Sequence, residues 1–207
     1  KKVTETEKVS LVNNVFTSVT KNYDLMNDLM SFGLHRSWKS YFLLCSQIKK
    51  GDKVLDLAAG TGDITRLISK TVGDSGQVVS CDINYSMLSQ GRDNLIDKGV
   101  LDNVLYVQSD AQSLSFEENS FNHVTMAFGL RNTANISKAL KSIYRALKPG
   151  GSLQVLEFSK AEKIIEKPYS LFLNNFIPFL GKHVARDEDS YKYLAESIKM
   201  HPSQIEL

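Results

Sequence analysis

The chain has 207 residues, 42% of them hydrophobic and 23% charged, with a formal net charge of +2, the composition of an ordinary globule. That length suits one domain with an appendage; no apolar run reaches the roughly 20 residues that span a bilayer, no signal peptide is visible, and collagen, coiled-coil and disordered classes are excluded. Cys45 and Cys81, the two cysteines, are too few for a disulfide scaffold and lack zinc-site spacing, which favours a reducing cytoplasm, and without a basic block no nucleic-acid partner is expected.

The chain opens with an amphipathic segment that places Val9, Val12, Phe16 and Val19 on one side, followed by a dense tract over 23–39. From residue 51 onward, short apolar runs alternate with helical periodicity. Strands are predicted over 53–57, 77–81, 104–108, 123–127 and 152–158, and helices over 62–71, 86–98 and 136–147. Strand and helix alternating in this way means a parallel sheet with helices on both faces. The first strand, Val54-Leu55-Asp56-Leu57-Ala58, is almost wholly apolar, as a strand covered on both faces requires. Further on, Tyr169, Phe172, Phe176 and Phe179 recur at helical spacing, and a last helix is predicted over 188–200, closed by Pro202.

The sharpest chemical signal is Asp56-Leu57-Ala58-Ala59-Gly60-Thr61-Gly62-Asp63, which leaves the first strand and enters a helix. Glycines let the backbone approach a ligand closely, and a helix start offers free N–H groups. Twenty residues past Gly62, Asp82 ends the second strand, where a carboxylate can accept both hydroxyls of an adenosine ribose. A dinucleotide and S-adenosylmethionine (SAM) both fit so far. The third glycine of a dinucleotide fingerprint would fall at 65, where the chain has Thr65, and Asp110-Ala111 after the third strand puts a polar group near an adenine edge. SAM therefore fits better than a dinucleotide, and a dehydrogenase is disfavoured.

Several tracts together resemble the UbiE-type C-methyltransferases of ubiquinone and menaquinone biosynthesis. These are Tyr23-Asp24-Leu25-Met26-Asn27 through Ser31-Phe32-Gly33-Leu34-His35-Arg36-Ser37-Trp38-Lys39; Phe128-Gly129-Leu130-Arg131-Asn132; Leu147-Lys148-Pro149-Gly150-Gly151 with Leu156-Glu157-Phe158-Ser159; and the tract over 190–197. The resemblance implies an α/β, Rossmann-like doubly wound sheet of the SAM-dependent methyltransferase type. It implies a single domain over 1–207: an N-terminal helical lid (1–50), a SAM-binding core (51–160) and substrate-side helices (161–207). The chain ends before any segment reads as the family's C-terminal antiparallel strand pair, so that pair is expected to be absent.

Carried onto this sequence, the resemblance makes Asp56, Gly60, Thr61, Gly62, Asp82, Asp110, Ala111 and Ala127 the cofactor-binding residues. Ala127 stands where many relatives carry serine, which leaves only backbone groups to serve there. The implied reaction moves a methyl from SAM to a ring carbon of a polyprenyl benzoquinol or a demethylmenaquinol, with no metal. Arg131 and Asn132 are expected to act on the quinolate oxygen or on a water. Arginine itself is a poor base because its pKa exceeds about 12. His35, the single histidine of the amino-terminal tract, and Tyr23 are the other catalytic candidates. Trp38, Tyr41 and Phe42 are read as core residues and Glu157 as a solvated carboxylate at a strand end. Expected partners are the polyprenyl quinol, a peripheral contact with the inner membrane from the cytoplasmic side, and a second copy or a quinone-synthesis complex. The alternatives are a methyltransferase of another small phenol or lipid, and a scaffold without catalysis.

Overall fold

The computed structural model describes residues 4–20, 23–31, 33–100, 102–158, 193, 196–198, 200 and 201. The aromatic stripe from Tyr169 to Phe179 lies outside them, as does most of the last predicted helix; Tyr193, Glu196, Ser197, Ile198 and Met200 are helical.

Three helices precede the sheet: α1 (Glu5–Val19), α2 (Tyr23–Ser31) and α3 (Leu34–Leu44). Thr4 and Glu7 start α1 with a reciprocal pair of hydrogen bonds to each other's backbone, which satisfies donors that a helix start leaves free. The core then runs β1 (Lys53–Leu57), α4 (Asp63–Val72), β2 (Gln77–Asp82), α5 (Tyr85–Asp97), β3 (Val104–Gln108), β4 (Phe121–Ala127), α6 (Ile136–Ala146) and β5 (Leu147–Leu156). All strand pairs are parallel, in the order β3-β2-β1-β4-β5.

Strand alternation divides the core between two faces. Val54 and Val78 pack with Ile64, Ile68, Val72 and Leu95 from α4 and α5, while their neighbours Leu55 and Val79 pack with Ile143 and Ala146 of α6. Successive strand residues point to opposite faces, so one apolar run feeds both layers. The doubly wound sheet expected from the pattern is the one found.

Two strands differ from the periodic reading by more than one residue at an end. β4 begins at Phe121, and β5 covers Leu147–Leu156 rather than 152–158. Pro149-Gly150-Gly151 reads locally as a turn, yet Leu147 pairs with Phe121 across a register shift and Ser152 resumes the ladder opposite His123. Pairing to a neighbouring strand overrode the local signal. Phe42 is buried, whereas Trp38 and Tyr41 are 38% and 69% exposed. This corrects their assignment to the core: α3 turns Phe42, His35 and Lys39 inward, and Trp38 and Tyr41 fall on its other side.

The chain order reverses at β1, which lies between β2 and β4. A crevice opens beyond the carboxyl ends of strands at such a switch point, and most of the predicted site residues collect there.

Candidate active site

At the end of β2, Asp82 sits in the wall of a cavity that reaches from Val9 and Phe16 of α1 to Met126 at the end of β4. Its Oδ2 accepts the Gly60 N–H at 2.9 Å and its Oδ1 the Asn84 N–H at 2.8 Å. Each oxygen keeps a second lone-pair direction, so the carboxylate is held by backbone and still open to a ligand. Burial pushes its pKa up, against the pull of those N–H donors. On the other side, Asp110 accepts the Gln112 N–H at 2.9 Å and is gripped by the Gln112 side chain. Ile83, Met87 and Ala111 line the cavity with these two carboxylates and form an apolar slot suited to a planar base.

Helix α1 and the start of α2 roof this space, with Val9, Val12, Phe16 and Tyr23 in its lining. Both halves of α1 are tied down. Lys8 Nζ donates to the Arg131 and Thr133 carbonyls at 3.1 and 2.8 Å. Farther along, Asn84 Nδ2 donates to Asn13 Oδ1 and Thr17 Oγ1, both at 2.8 Å. Asn84 therefore joins the lid to the Asp82 carboxylate, while its own carbonyl caps α5 through the Met87 N–H.

A smaller hollow lies alongside, lined by Tyr23, Lys39, Asp56, Gly60, Thr61 and Phe128. The Thr61 hydroxyl donates to Asp24 at 2.9 Å, tying the glycine loop to α2. Beside it, Lys39 pairs with Asp63 at 2.8 Å. Asp56 lies deeper, accepting from Thr65 at 2.6 Å and Thr125 at 2.8 Å; burial pushes its pKa up to about 6. Thr65, the residue in place of a third glycine, is thus a tie beneath the loop. Gly62 takes the left-handed turn into α4 at φ 86° and lines neither space.

The structure gathers Asp82, Asp110, Ala111, Ala127, Gly60, Tyr23 and Asn132 around the main cavity. Asp56 and Thr61 face only the smaller hollow. Arg131 and His35 are brought to neither. His35 Nε2 meets Asp28 Oδ1 at 2.8 Å on the far side of the lid, where Arg36 first and His35 second hold the Asp28 carboxyl below its usual range. Arg131 turns away to Glu157, its Nη1 2.6 Å from Oε1, with the two side chains 4% and 6% exposed. Glu157 is therefore buried and paired, which corrects its reading as a solvated carboxylate: its side chain meets the Arg131 guanidinium and the Arg131 and Phe158 N–H groups.

Residue-by-residue reading passed over Asn84 and Gly91 and misplaced Glu157. Asn84 carries a local signal, an N-cap residue directly before a helix. Gly91, inside α5, is an isolated glycine in a helical pattern, which marks close approach. Glu157 has no local signal of its burial.

Charge decides the ligand class. Asp82 and Asp110 line the cavity and, among the described residues, no lysine, arginine or histidine does. A pyrophosphate would meet only negative charge there, whereas a sulfonium nucleoside is attracted and its ribose matches Asp82. The residues fit SAM.

Fold and site together define a SAM-dependent methyltransferase. A SAM-dependent methyltransferase from Aquifex aeolicus superposes with a TM-score of 0.56 at 26% identity, over 60% of this chain and 66% of that one. One from Mesorhizobium loti, at 19% identity, matches in fold with a TM-score of 0.52, over 58% of this chain and 53% of that one. The profile of the ubiE/COQ5 methyltransferase family matches residues 1–207, and the chain belongs to that family. It is 55% identical to the ubiquinone/menaquinone biosynthesis C-methyltransferase UbiE of Pseudoalteromonas translucida, over 99% of this chain and 82% of that protein. The UbiE of Legionella pneumophila strain Paris is likewise 55% identical, with the same coverage.

Proposed function

We propose that this chain methylates a ring carbon of a polyprenyl benzoquinol of the ubiquinone pathway, a demethylmenaquinol, or both. One observation carries the reading: a roofed cavity with an anionic lining, whose Phe128 wall is shared with the smaller hollow. The names of its relatives supply the acceptor class.

Bound SAM supplies a methyl made electrophilic by its sulfonium. The protein's own residues align, exclude water and adjust the acceptor. Orientation alone is worth effective molarities of about 10⁵ M or more, and α1 covers one side of the cavity. The acceptor carbon becomes nucleophilic when its neighbouring phenol gives its proton to solvent; as the new C–C bond forms the C–S bond breaks to leave a neutral thioether, and the ring proton then passes to solvent. Hydrogen bonds to the ionised form favour it. Tyr23 and Asn132 are polar cavity residues able to donate to that oxygen. Asn132 is held in orientation, its Nδ2 donating to the Phe128 carbonyl at 3.3 Å and its Oδ1 accepting from Tyr193 at 3.1 Å. Arg131 is a poor proton acceptor, and Glu157 neutralises its charge.

The acceptor is lipid-soluble, and α3 exposes Leu34, Trp38 and Tyr41 on one side. Such a stripe suits shallow burial in a bilayer interface, which supports a cytoplasmic enzyme in peripheral contact with the inner membrane. No helix among the described residues is long and apolar enough to cross a membrane. In vesicle co-sedimentation, L34S/Y41S should reduce binding several-fold; unchanged binding refutes this surface.

The acceptor is tested by incubating purified chain with methyl-labelled SAM and a demethylated quinol under reducing conditions. Label in the quinol is expected. Transfer only to a small phenol or another lipid moves the acceptor class. SAM binding with no transfer to any of them makes the chain a scaffold.

A further inference from the structure

Among the described residues, three non-glycines hold positive φ, and two of them, Ala58 (52°) and Phe128 (58°), follow directly on the neighbouring strands β1 and β4. The third, Asn119, is of a type that enters this region readily. Phenylalanine is not, and such strain persists only where the surroundings over-determine it. The surroundings here are specific. The Phe128 N–H donates to the Leu156 carbonyl at 2.7 Å, and its carbonyl accepts from Arg131 Nη1 at 2.6 Å. Gly129 presses on the glycine loop so closely that a Cβ there would lie 2.4 Å from the Ala58 Cβ.

Glu157 holds the arginine that does this. Its Oε1 accepts from Arg131 Nη1 at 2.6 Å and from the Phe158 N–H at 2.9 Å, and its Oε2 accepts the Arg131 N–H at 3.1 Å. The guanidinium carbon lies 5.3 Å from the centre of the Phe158 ring, which packs on Phe128 with centroids 4.9 Å apart. The same turn offers the Arg131 carbonyl to Lys8 of the lid.

We infer that Glu157 and Arg131 are a positioning pair: together they clamp the Phe128 peptide in its left-handed conformation and so set the wall between the cofactor cavity and the neighbouring hollow. Neither side chain lines the cavity, so the pair acts through Phe128 and the adjoining Asn132. Without Glu157, the buried guanidinium loses its counter-charge and swings out, and residue 128 relaxes to an ordinary conformation. The cofactor carboxylate Asp82, on β2, stays in place. The inference rests on this cavity being the site of methyl transfer.

The test measures methyl transfer, SAM affinity and amide hydrogen exchange in the full chain for E157A, R131A and the double variant. Each single variant should lower kcat at least tenfold and leave the Kd for SAM within threefold. The double variant should be no worse than the poorer single, because one clamp can be broken only once. E157D, which keeps the charge, should recover part of kcat, and it replaces E157A if that protein fails to fold. Additive losses, a fall in SAM affinity parallel to kcat, or kcat within twofold of wild type overturns the inference. If the wild-type chain methylates no quinol, the acceptor reading fails separately. Exchange then decides the pair: amides over 126–132 should exchange at least tenfold faster in E157A, and unchanged rates refute it.

Discussion

Gly91 of α5 lies against the cofactor loop so tightly that a Cβ on it would sit 2.5 Å from the Gly60 carbonyl oxygen. The loop that holds Asp82 through the Gly60 N–H is thus shaped by a helix residue 31 positions away. A backbone atom cannot yield as a flexible side chain can. Gly91→Ala should therefore displace the loop, costing about 1–3 kcal/mol of overpacking against about 1 kcal/mol gained in helix propensity. The expected outcome is a lowered Tm with SAM affinity reduced at least tenfold, read by thermal unfolding and calorimetry. Wild-type affinity in G91A would show that the contact does not shape the site.

Asp82→Asn should weaken SAM binding by roughly 10- to 100-fold, about 1.4–2.8 kcal/mol. Both carboxylate oxygens accept backbone N–H groups, so an amide must turn its NH₂ toward one of those donors and lose a ribose acceptor as well. Calorimetry measures the loss, and circular dichroism should show an unchanged fold. Affinity within twofold of wild type would remove Asp82 from the cofactor site.

Asp56 sets a pH dependence of known sign. Burial raises its pKa from 3.8 to about 6 in the folded chain. Between those values the folded state keeps a proton that the unfolded state has lost, so stability falls as pH rises through the window and stays level above it. At 1.36 kcal/mol per unit the loss is at most about 3 kcal/mol. Asp82, also raised by burial, adds a slope of the same sign, so the informative quantity is the difference from D56N. Asparagine can still accept from Thr125, and Thr65 can donate to Ser80, 3.2 Å away. Urea unfolding from pH 4 to 7 should show D56N losing part of the slope and matching or exceeding wild type at neutral pH. An identical slope would contradict the assignment.

Lys8 fastens the lid, and burial lowers the pKa of its amine. Lys8→Met keeps the aliphatic stem and removes both bonds to the Arg131 and Thr133 carbonyls. A loss of about 1 kcal/mol, the ordinary net worth of one intramolecular hydrogen bond, should speed SAM release roughly fivefold and increase proteolytic cleavage in α1. Stopped-flow displacement reads the first and limited digestion the second. Unchanged rates would mean that the Asn84 ties and the Glu5 contacts with Asn135 and Lys138 hold α1 without Lys8.

Much of the site was legible because its signals are local. Asp56 to Asp63 follow one strand and enter one helix, and Asp82 ends the next strand; both positions come from apolar periodicity alone. The first helix was legible as a hydrophobic stripe of Val9, Val12, Phe16 and Val19, of which Val12 and Val19 are buried. Trp38 and Tyr41 misled because helical spacing tells which residues share a face but not which face meets the sheet.

What the amino-acid order settled by itself was the parallel sheet, the glycine loop that leaves β1 and the carboxylate that ends β2, since each arises from strand–turn–helix units read along the chain. Tertiary structure alone turned Arg131 from the cavity toward Glu157, set Gly91 against Gly60 and opened β5 at Leu147 rather than after the glycines. In each case the deciding partner comes from another strand or helix. Burial gives such a contact its energy, and burial exists only once the layers have closed.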